Sequence, residues 1–419
     1  TGYNKFNQLG LNISDQLYIQ EFQALKDKFS EIAHSTEGTL FLNGSKLYGV
    51  GNSEYYQLGT KQKENLSLIT EIDFFEDEEI QKIALGRDHS LILTKKNKLF
   101  SQGNDFHGQL GRSNTDRGKF GSNSPAEVDL SFLNGDLIAE LFIVNDVLSV
   151  IQTSRRVFLA GYCSYGICGN VFGDQPVFFE LPLPTETSQI KKLTPGVVNL
   201  FLSVEDTTLQ TWAIGYDFYG QMCQNSTSVD RRAWVRLPFN PVQTSANSVQ
   251  TTFYLFDSQI QFCGLNFNKT KSANLQKLQQ PPGKLVDFAL VGNGLIAVTS
   301  KGLFCIGQSA NGSIGNGNEF AGEWKKLHEA SPKLLSISPQ STLSANATSF
   351  VYQKCAERFT LVNEVCQLKT EQWGLARIAS LAVFLVTIAF LAIMGVWLCA
   401  KTGVFEKEEV QQKAPLLSE

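Results

Sequence analysis

Catalysis requires particular side chains at particular spacings, and this chain offers few such arrangements. Its four histidines, His34, His89, His107 and His328, form no H-x-x-x-H pair, and no C-x-x-C pair is present, so no zinc or iron site is expected. There is no G-x-S-x-G elbow to present a nucleophile and no G-x-x-x-x-G-K-[ST] loop to cradle phosphate. No catalytic group and no cofactor are expected, and the chain reads as a non-enzyme. The acidic run Asp73 to Glu79 is broken by Phe74 and Phe75 and lacks calcium-loop spacing, which predicts a solvated loop.

The remaining chemistry is modification. Seven N-x-S/T sequons, at Asn12, Asn43, Asn65, Asn225, Asn268, Asn311 and Asn346, are glycosylation candidates, and most fall where turns or loops are expected. There are eight cysteines. Cys355 and Cys366 read as a small disulfide loop. Cys163 and Cys168 either bridge locally or fill turn and plug positions. Cys223, Cys263 and Cys305 recur near loops, with a pairing that spacing does not decide.

The elements that carry these residues are repeated. A nine-residue phrase recurs: GYNKFNQLG from Gly2, GNSEYYQLG from Gly51, GNDFHGQLG from Gly103, GYCSYGICG from Gly161, GYDFYGQMC from Gly215, then weaker copies from Gly264 and Gly307. The opening glycines stand 49, 52, 58, 54, 49 and 43 residues apart, a near-constant period that means a repeat architecture. Each phrase follows two apolar runs joined by a polar turn, such as TLFLNGSKLYGVG before Gly51, which predicts a hairpin of short strands. The glycines permit positive φ and close approach of neighbouring backbones. Asn7 tolerates the left-handed conformation of the sixth phrase position, whereas Tyr56 would be strained there, so altered geometry is expected near Tyr56. Leu9, Leu58, Leu110 and Ile314 are expected to plug the space between sheets. Thirty-four glycines and thirty phenylalanines agree with an all-β chain rich in turns.

The phrase together with the lead-in Gly86-RDHSLILTKKNKLFSQG resembles the regulator of chromosome condensation repeat family. That resemblance covers residues 1 to about 352 and implies a seven-bladed β-propeller. It makes His89 the family's blade histidine, a hydrogen-bonding residue within its sheet. In the family's namesake the fold promotes guanine-nucleotide exchange on a small GTPase, so a cytosol-facing regulator of that type is the alternative reading of function.

Residues Ile378 to Ala400 form a run of 23 without a charge, enough for a helix of roughly 35 Å against about 30 Å of bilayer hydrocarbon. Arg377 and Lys401 bracket it, and a single transmembrane helix is expected over 378–400. The domains expected are a propeller over 1–352, a juxtamembrane segment over 353–377, the span and a short cytosolic tail over 401–419. Positive charges flanking the span tie, so the sequons and cysteines decide sidedness: the propeller is placed outside the cell or in a lumen. No charged and apolar leader opens the chain, which reads as processed or truncated. Gln16 to His34 has apolar residues at near-helical spacing and predicts a helix on one propeller face. A net charge of −4 and pI near 5.7 argue against nucleic acid as a partner. The partners expected are a protein or glycan ligand on a propeller face, and the lipid bilayer.

Overall fold

The computed structural model describes residues 2–11, 18–19, 29–60, 63–75, 77–112, 122–185, 189–225, 227–246, 251–257, 259–265, 270–291, 294–308, 320–328, 333–337, 350–353, 359–362 and 365–368. Two compact units divide the chain, Thr1–Lys354 and Cys355–Glu419.

The first unit is an all-β propeller. Six four-stranded antiparallel blades follow one another along the chain, each ordered from inner to outer strand. Blade 1 comprises Glu31–His34, Gly38–Asn43, Lys46–Asn52 and Asn65–Ile72; blade 2, Ile80–Leu85, His89–Thr94, Leu99–Gly103 and Ser122–Glu127. Blade 3 comprises Glu140–Val144, Leu148–Gln152, Val157–Cys163 and Gly173–Leu181; blade 4, Gln189–Pro195, Asn199–Glu205, Leu209–Asp217 and Ser228–Arg236. Blade 5 runs through Gln243–Ser245, Thr251–Phe256, Gln259–Leu265 and Lys271–Lys277, and blade 6 through Leu285–Val291, Gly294–Thr299, Gly302–Gln308 and Phe320–His328.

Burial explains why the second strands read as apolar runs. His89–Thr94 is buried at every position because blades pack face to face on both sides of it. The outer strand Asn65–Ile72 is mostly exposed, with Leu66 and Ile72 turned inward. The core is accordingly divided among the joints between blades. Leu40, Leu47 and Ile72 meet Ile83 and Ile92 between blades 1 and 2; Leu159 and Ile167 meet Leu193, Leu200 and Ile214 between blades 3 and 4.

Seven blades were expected, and six four-stranded blades are formed among the described residues. Outside these blades, two separate two-stranded sheets pair Gly2–Tyr3 with Tyr18–Ile19 and Lys333–Ile337 with Phe350–Gln353. Only two residue pairs join the first of these, too short a ladder to build a full blade. Lys333–Ile337 runs beside the inner strands of both blade 6 and blade 1.

The helix expected over Gln16–His34 is corrected at both ends: Tyr18–Ile19 and Glu31–His34 are strands, and Ile32 and Ala33 pair with Phe41 and Leu40. The ladder available to a β-branched segment beside a hairpin outweighs its helical spacing. Residues 20–28 lie outside the described residues. In the second unit, Phe359–Val362 pairs with Val365–Leu368. Among the described residues no helix is long and apolar enough to cross a membrane. The expected span, 378–400, lies outside them.

Candidate functional site

The repeated phrase builds one face of the propeller. Two successive turns form its backbone: in the copy from Gly103, Gly108 N–H donates to Asp105 O at 3.1 Å and Gly111 N–H to Gly108 O at 3.0 Å. The third residue ties the loop to its eighth. Asp105 Oδ1 accepts from Leu110 N–H at 2.9 Å, Asn4 Oδ1 from Leu9 N–H at 3.1 Å and Asp217 Oδ1 from Met222 N–H at 2.8 Å. The eighth side chain is then buried at the joint, as Leu9, Leu58, Leu110 and Met222 are. Ile314 lies outside the described residues.

The seventh residue, glutamine, fastens one blade to the next. Gln57 Oε1 accepts from Tyr55 N–H within its own loop at 3.0 Å, while its Nε2 donates to Arg87 O of blade 2 at 2.8 Å. The Gln57 carbonyl accepts from Ser90 Oγ of blade 2 at 2.7 Å. Gln8 repeats this against Thr36 and Thr39 of blade 1. The Gln109 carbonyl accepts from Ser149 Oγ at 2.6 Å, and the Gln221 carbonyl from Tyr254 Oη at 2.8 Å. His89 Nε2 also reaches Ser149 Oγ, at 2.9 Å. It therefore bonds to the neighbouring blade rather than within its own sheet, and burial lowers its pKa to about 4, keeping it neutral.

Among the repeat glycines, Gly51, Gly103, Gly161, Gly215, Gly264 and Gly307 share φ between 103° and 118°. A Cβ at Gly103 would lie 2.3 Å from Asp88 O, so only glycine fits. Gly2 begins the short Gly2–Tyr3 strand. At the sixth phrase position Tyr56 adopts φ 65°, beside 61° at Asn7 and 80° at Gly108. The geometry expected to differ at Tyr56 does not; the ring accepts the left-handed backbone and lies under Lys63, 5.6 Å from its centroid.

Three sequon asparagines are described, and all are exposed: Asn43, Asn65 and Asn225. Asn43 sits at a hairpin tip on the face opposite the phrases. Asn65 is occupied: with its amide nitrogen turned inward it donates to Phe6 O at 2.8 Å and Gly51 O at 3.0 Å. Asn12, Asn268, Asn311 and Asn346 lie outside the described residues, as does Cys355, so the Cys355–Cys366 loop is not described. Cys163 and Cys168 are joined by a disulfide within their phrase, and Cys223 of the blade 4 phrase is joined to Cys263 of blade 5. Cys305 is a buried free thiol with its pKa pushed up to about 12 by burial. The acidic run is ion-paired, Glu78 to Lys98 at 3.0 Å and Glu79 to Lys95 at 2.6 Å, and Phe75 within it is buried against Phe100.

Sequence reasoning missed the aromatic residues of the same phrases. Five copies carry Phe6, Tyr55, His107, Tyr165 and Tyr219 at the fifth position, a period visible in the alignment of the phrases. On blades 2 to 4 these and their neighbours make an exposed aromatic arc. His107 packs on Phe106 and on Tyr162, each at 4.9 Å, and is held by Asp174 Oδ1 at 2.8 Å. Tyr165 meets Tyr216 at 5.4 Å, Phe218 meets Tyr219 at 5.1 Å, and Lys271 Nζ lies 4.4 Å from the Phe218 centroid. Phe106 is 59% exposed and Phe218 43%.

Inward of the arc, the loops after the inner strands form a charged rim. Arg87 grips Asp88 through both carboxylate oxygens at 2.8 Å and donates its backbone N–H to Asp146 Oδ1 at 3.0 Å. Burial raises the Asp146 pKa to about 6. Among the described residues no three His, Cys, Asp or Glu side chains are grouped to hold a metal.

Comparisons with known proteins agree with the blades. A model of the regulator of chromosome condensation (RCC1) repeat matches residues 45–93, and a second model of that repeat matches 80–109. The Ultraviolet-B receptor UVR8 of Arabidopsis thaliana is 30% identical over 113 residues, 26% of this chain and 26% of that protein. The probable E3 ubiquitin-protein ligase HERC4 of Rattus norvegicus is 31% identical over 122 residues, 27% of this chain and 11% of that one. The chain thus aligns with about a quarter or less of the length of these relatives. Human WBSCR16 has a similar structure, with 17% identity and a TM-score of 0.64 over 75% of this chain and 86% of that one, a likeness of fold. Residues 45–109 thus match the regulator of chromosome condensation repeat, and the described residues show a β-propeller fold.

Proposed function

We propose that this chain is a single-pass membrane protein whose propeller, on the extracellular or lumenal side, is a non-catalytic module that docks a protein partner on its phrase-bearing face. The observation that carries the docking face is the aromatic arc. Exposed Phe and Tyr side chains in contact across neighbouring blades present apolar area at low entropic cost, the composition found at the centre of protein interfaces. The uncharged run over 378–400 supports the anchor, and the Cys163–Cys168 and Cys223–Cys263 bridges support an oxidising compartment.

A photo-cross-linking residue at position 218, on the phrase face, is expected to capture one discrete partner in native membranes. The same residue at position 301, in a hairpin on the opposite face, is expected to capture none. Equal capture at both positions contradicts the docking face. Sidedness is read by protease treatment of intact vesicles: residues 1–354 are expected to be protected, with glycan on Asn43 and Asn225. Asn65 is expected to stay bare, because a glycan on its amide nitrogen leaves one N–H for two acceptors. Digestion from the cytosolic side would return the exchange-factor reading, which a nucleotide-release assay then tests.

A further inference from the structure

The fold seats charged side chains against the rings of the phrase-bearing face, and their sign changes along it. Where the outer strand of blade 3 abuts the blade 2 phrase, a Cβ at Gly108 would lie 2.4 Å from Pro176 Cα, and Asp174, two residues earlier, holds His107. Where the outer strand of blade 5 abuts the blade 4 phrase, a Cβ at Gly220 would lie 2.7 Å from Ala273 Cα, and Lys271, two residues earlier, reaches the phrase rings. Arg232, on the outer strand of blade 4, lies 4.4 Å from the Phe172 centroid of blade 3. Close packing of each outer strand on the preceding phrase thus delivers an anion from blade 3 and cations from blades 4 and 5.

Lys271 is exposed, and its Nζ lies 4.4 Å from the Phe218 centroid and 5.9 Å from that of Tyr219. Its amino group makes no ion pair or hydrogen bond with a described residue. Asp217, an acid near it, has a fully buried side chain and is taken by Arg231 Nε at 2.7 Å. Arg232 shares its charge with Asp230 at 3.0 Å, and half of its side chain stays exposed. The blade 5 cation is therefore steadied by two rings while no described carboxylate answers its charge.

We propose that the protein partner of this face presents an acidic segment to blades 4 and 5, with a carboxylate on Lys271 Nζ and an apolar side chain on the Phe218 ring. The proposal rests on the docking face argued above and adds the chemistry of what docks there. A ring-seated ammonium has already given up part of its freedom, so pairing it costs less entropy than pairing an unrestrained lysine. An exposed ion pair alone contributes little, but one covered together with the adjoining ring is shielded from water and salt. A cationic segment does not suit this sector, because Lys271 already sits on the Phe218 ring and would repel it. A polyanionic glycan needs cations in an unbroken row, which Asp174 and Asp230 interrupt.

The test adds charge to the capture experiment at position 218. A carbodiimide joins an amine directly to a carboxylate in contact with it. In native membranes it is expected to link Lys271 to an Asp or Glu of the same protein that the photo-cross-linker at 218 captures. Lys301, in the hairpin on the opposite face, is expected to give no such link. Lys271→Glu should lower photo-capture at 218 by about tenfold, whereas Lys271→Arg should keep photo-capture and abolish only the carbodiimide link. Arg232→Glu should lower photo-capture by about threefold, because Asp230 already offsets part of that charge. Raising salt to ~0.5 M should also lower it by about threefold. Lys271 is exposed on an outer strand, so both of its substitutions are expected to leave the thermal melt unchanged.

Photo-capture unchanged by Lys271→Glu, or a carbodiimide that links Lys271 to no carboxylate of the captured protein, would overturn the acidic segment and leave the docking face standing. Capture of a glycan or a lipid in place of a protein would overturn it in favour of that ligand. No capture at 218 would overturn the docking face and this proposal with it.

Discussion

The early joints of the propeller, into blades 1 to 3, are fastened by hydrogen bonds alone, whereas those into blades 4 and 5 carry disulfides in their phrases. At the joints into blades 1, 2 and 3, a phrase glutamine meets a Thr or Ser on the next blade: Gln8 with Thr39, Gln57 with Ser90, Gln109 with Ser149. At the joint into blade 4 both partners become apolar, Ile167 and Leu200, in one buried cluster. The third and eighth phrase positions change there too. Where Asp105 closes its loop by a hydrogen bond to Leu110, Cys163 closes its own by a covalent bond to Cys168. At the joint into blade 5 the glutamine returns, its carbonyl accepting from Tyr254 Oη, and a disulfide is added: Cys223 takes the place of a closing glycine, with φ 55°, and is bonded across to Cys263. The difference shows that one backbone phrase tolerates two fastenings.

Breaking the sulfur half should have the largest effect. Cys223 and Cys263 are 40 residues apart, and their bridge is expected to contribute about 4 kcal/mol, against about 2 kcal/mol for Cys163–Cys168. The paired substitution Cys223→Ser with Cys263→Ser should lower the denaturant midpoint accordingly. Hydrogen exchange should show blades 4 and 5 opening before blades 1 and 2. Protection lost evenly around the ring would erase the distinction between halves.

Breaking the polar half comes next. Gln57→Ala leaves Tyr55 N–H and Arg87 O without their partner and should cost about 2–3 kcal/mol. Ser90→Ala removes the donor to the Gln57 backbone carbonyl, which Gln57→Ala retains, so in a double-mutant cycle the two losses should come close to adding.

The polar joint between blades 2 and 3 also predicts a pH dependence. Asp146 has a folded-state pKa of about 6, above the ordinary carboxyl value, so the folded chain binds its proton more tightly than the unfolded chain. The stability this brings is present below about pH 4 and is lost as pH rises through about 6. Asp146→Asn, which can still accept from Arg87 N–H, should therefore raise stability at pH 7 by about 2 kcal/mol and leave it unchanged near pH 3. Thermal melts of both proteins at the two pH values give the comparison. The smallest effect should come from Tyr56→Gly, which relieves a left-handed tyrosine and should stabilise by about 1 kcal/mol, less what the Lys63 contact contributed.

Much of this architecture was legible because it repeats. The opening glycines mark where each third strand ends, and Asn43-Gly44 marks a hairpin that forms as read. Blade count was less legible, because the Gly2 phrase announces a sheet without supplying the strands to complete one. Helical spacing misled at Glu31–His34, where an inner strand buried at three successive positions shows no two-residue alternation. The glutamine clasps were invisible as chemistry, since their partners lie about 30 residues away and pair only once blades stack. The aromatic fifth position was visible but was hidden by attention to the glycines.

The clasps have a direction. The Nε2 groups of Gln8 and Gln57 and the carbonyls of Gln8, Gln57, Gln109 and Gln221 all grip the blade that follows, so the blades overlap like tiles laid in one sense around a roof. A blade that loosens frees itself from its successor while remaining under its predecessor, and strain should therefore travel around the wheel one way. A partner seated on the arc across blades 2 to 4 would cover several overlaps at once, clamping that sector against such travel.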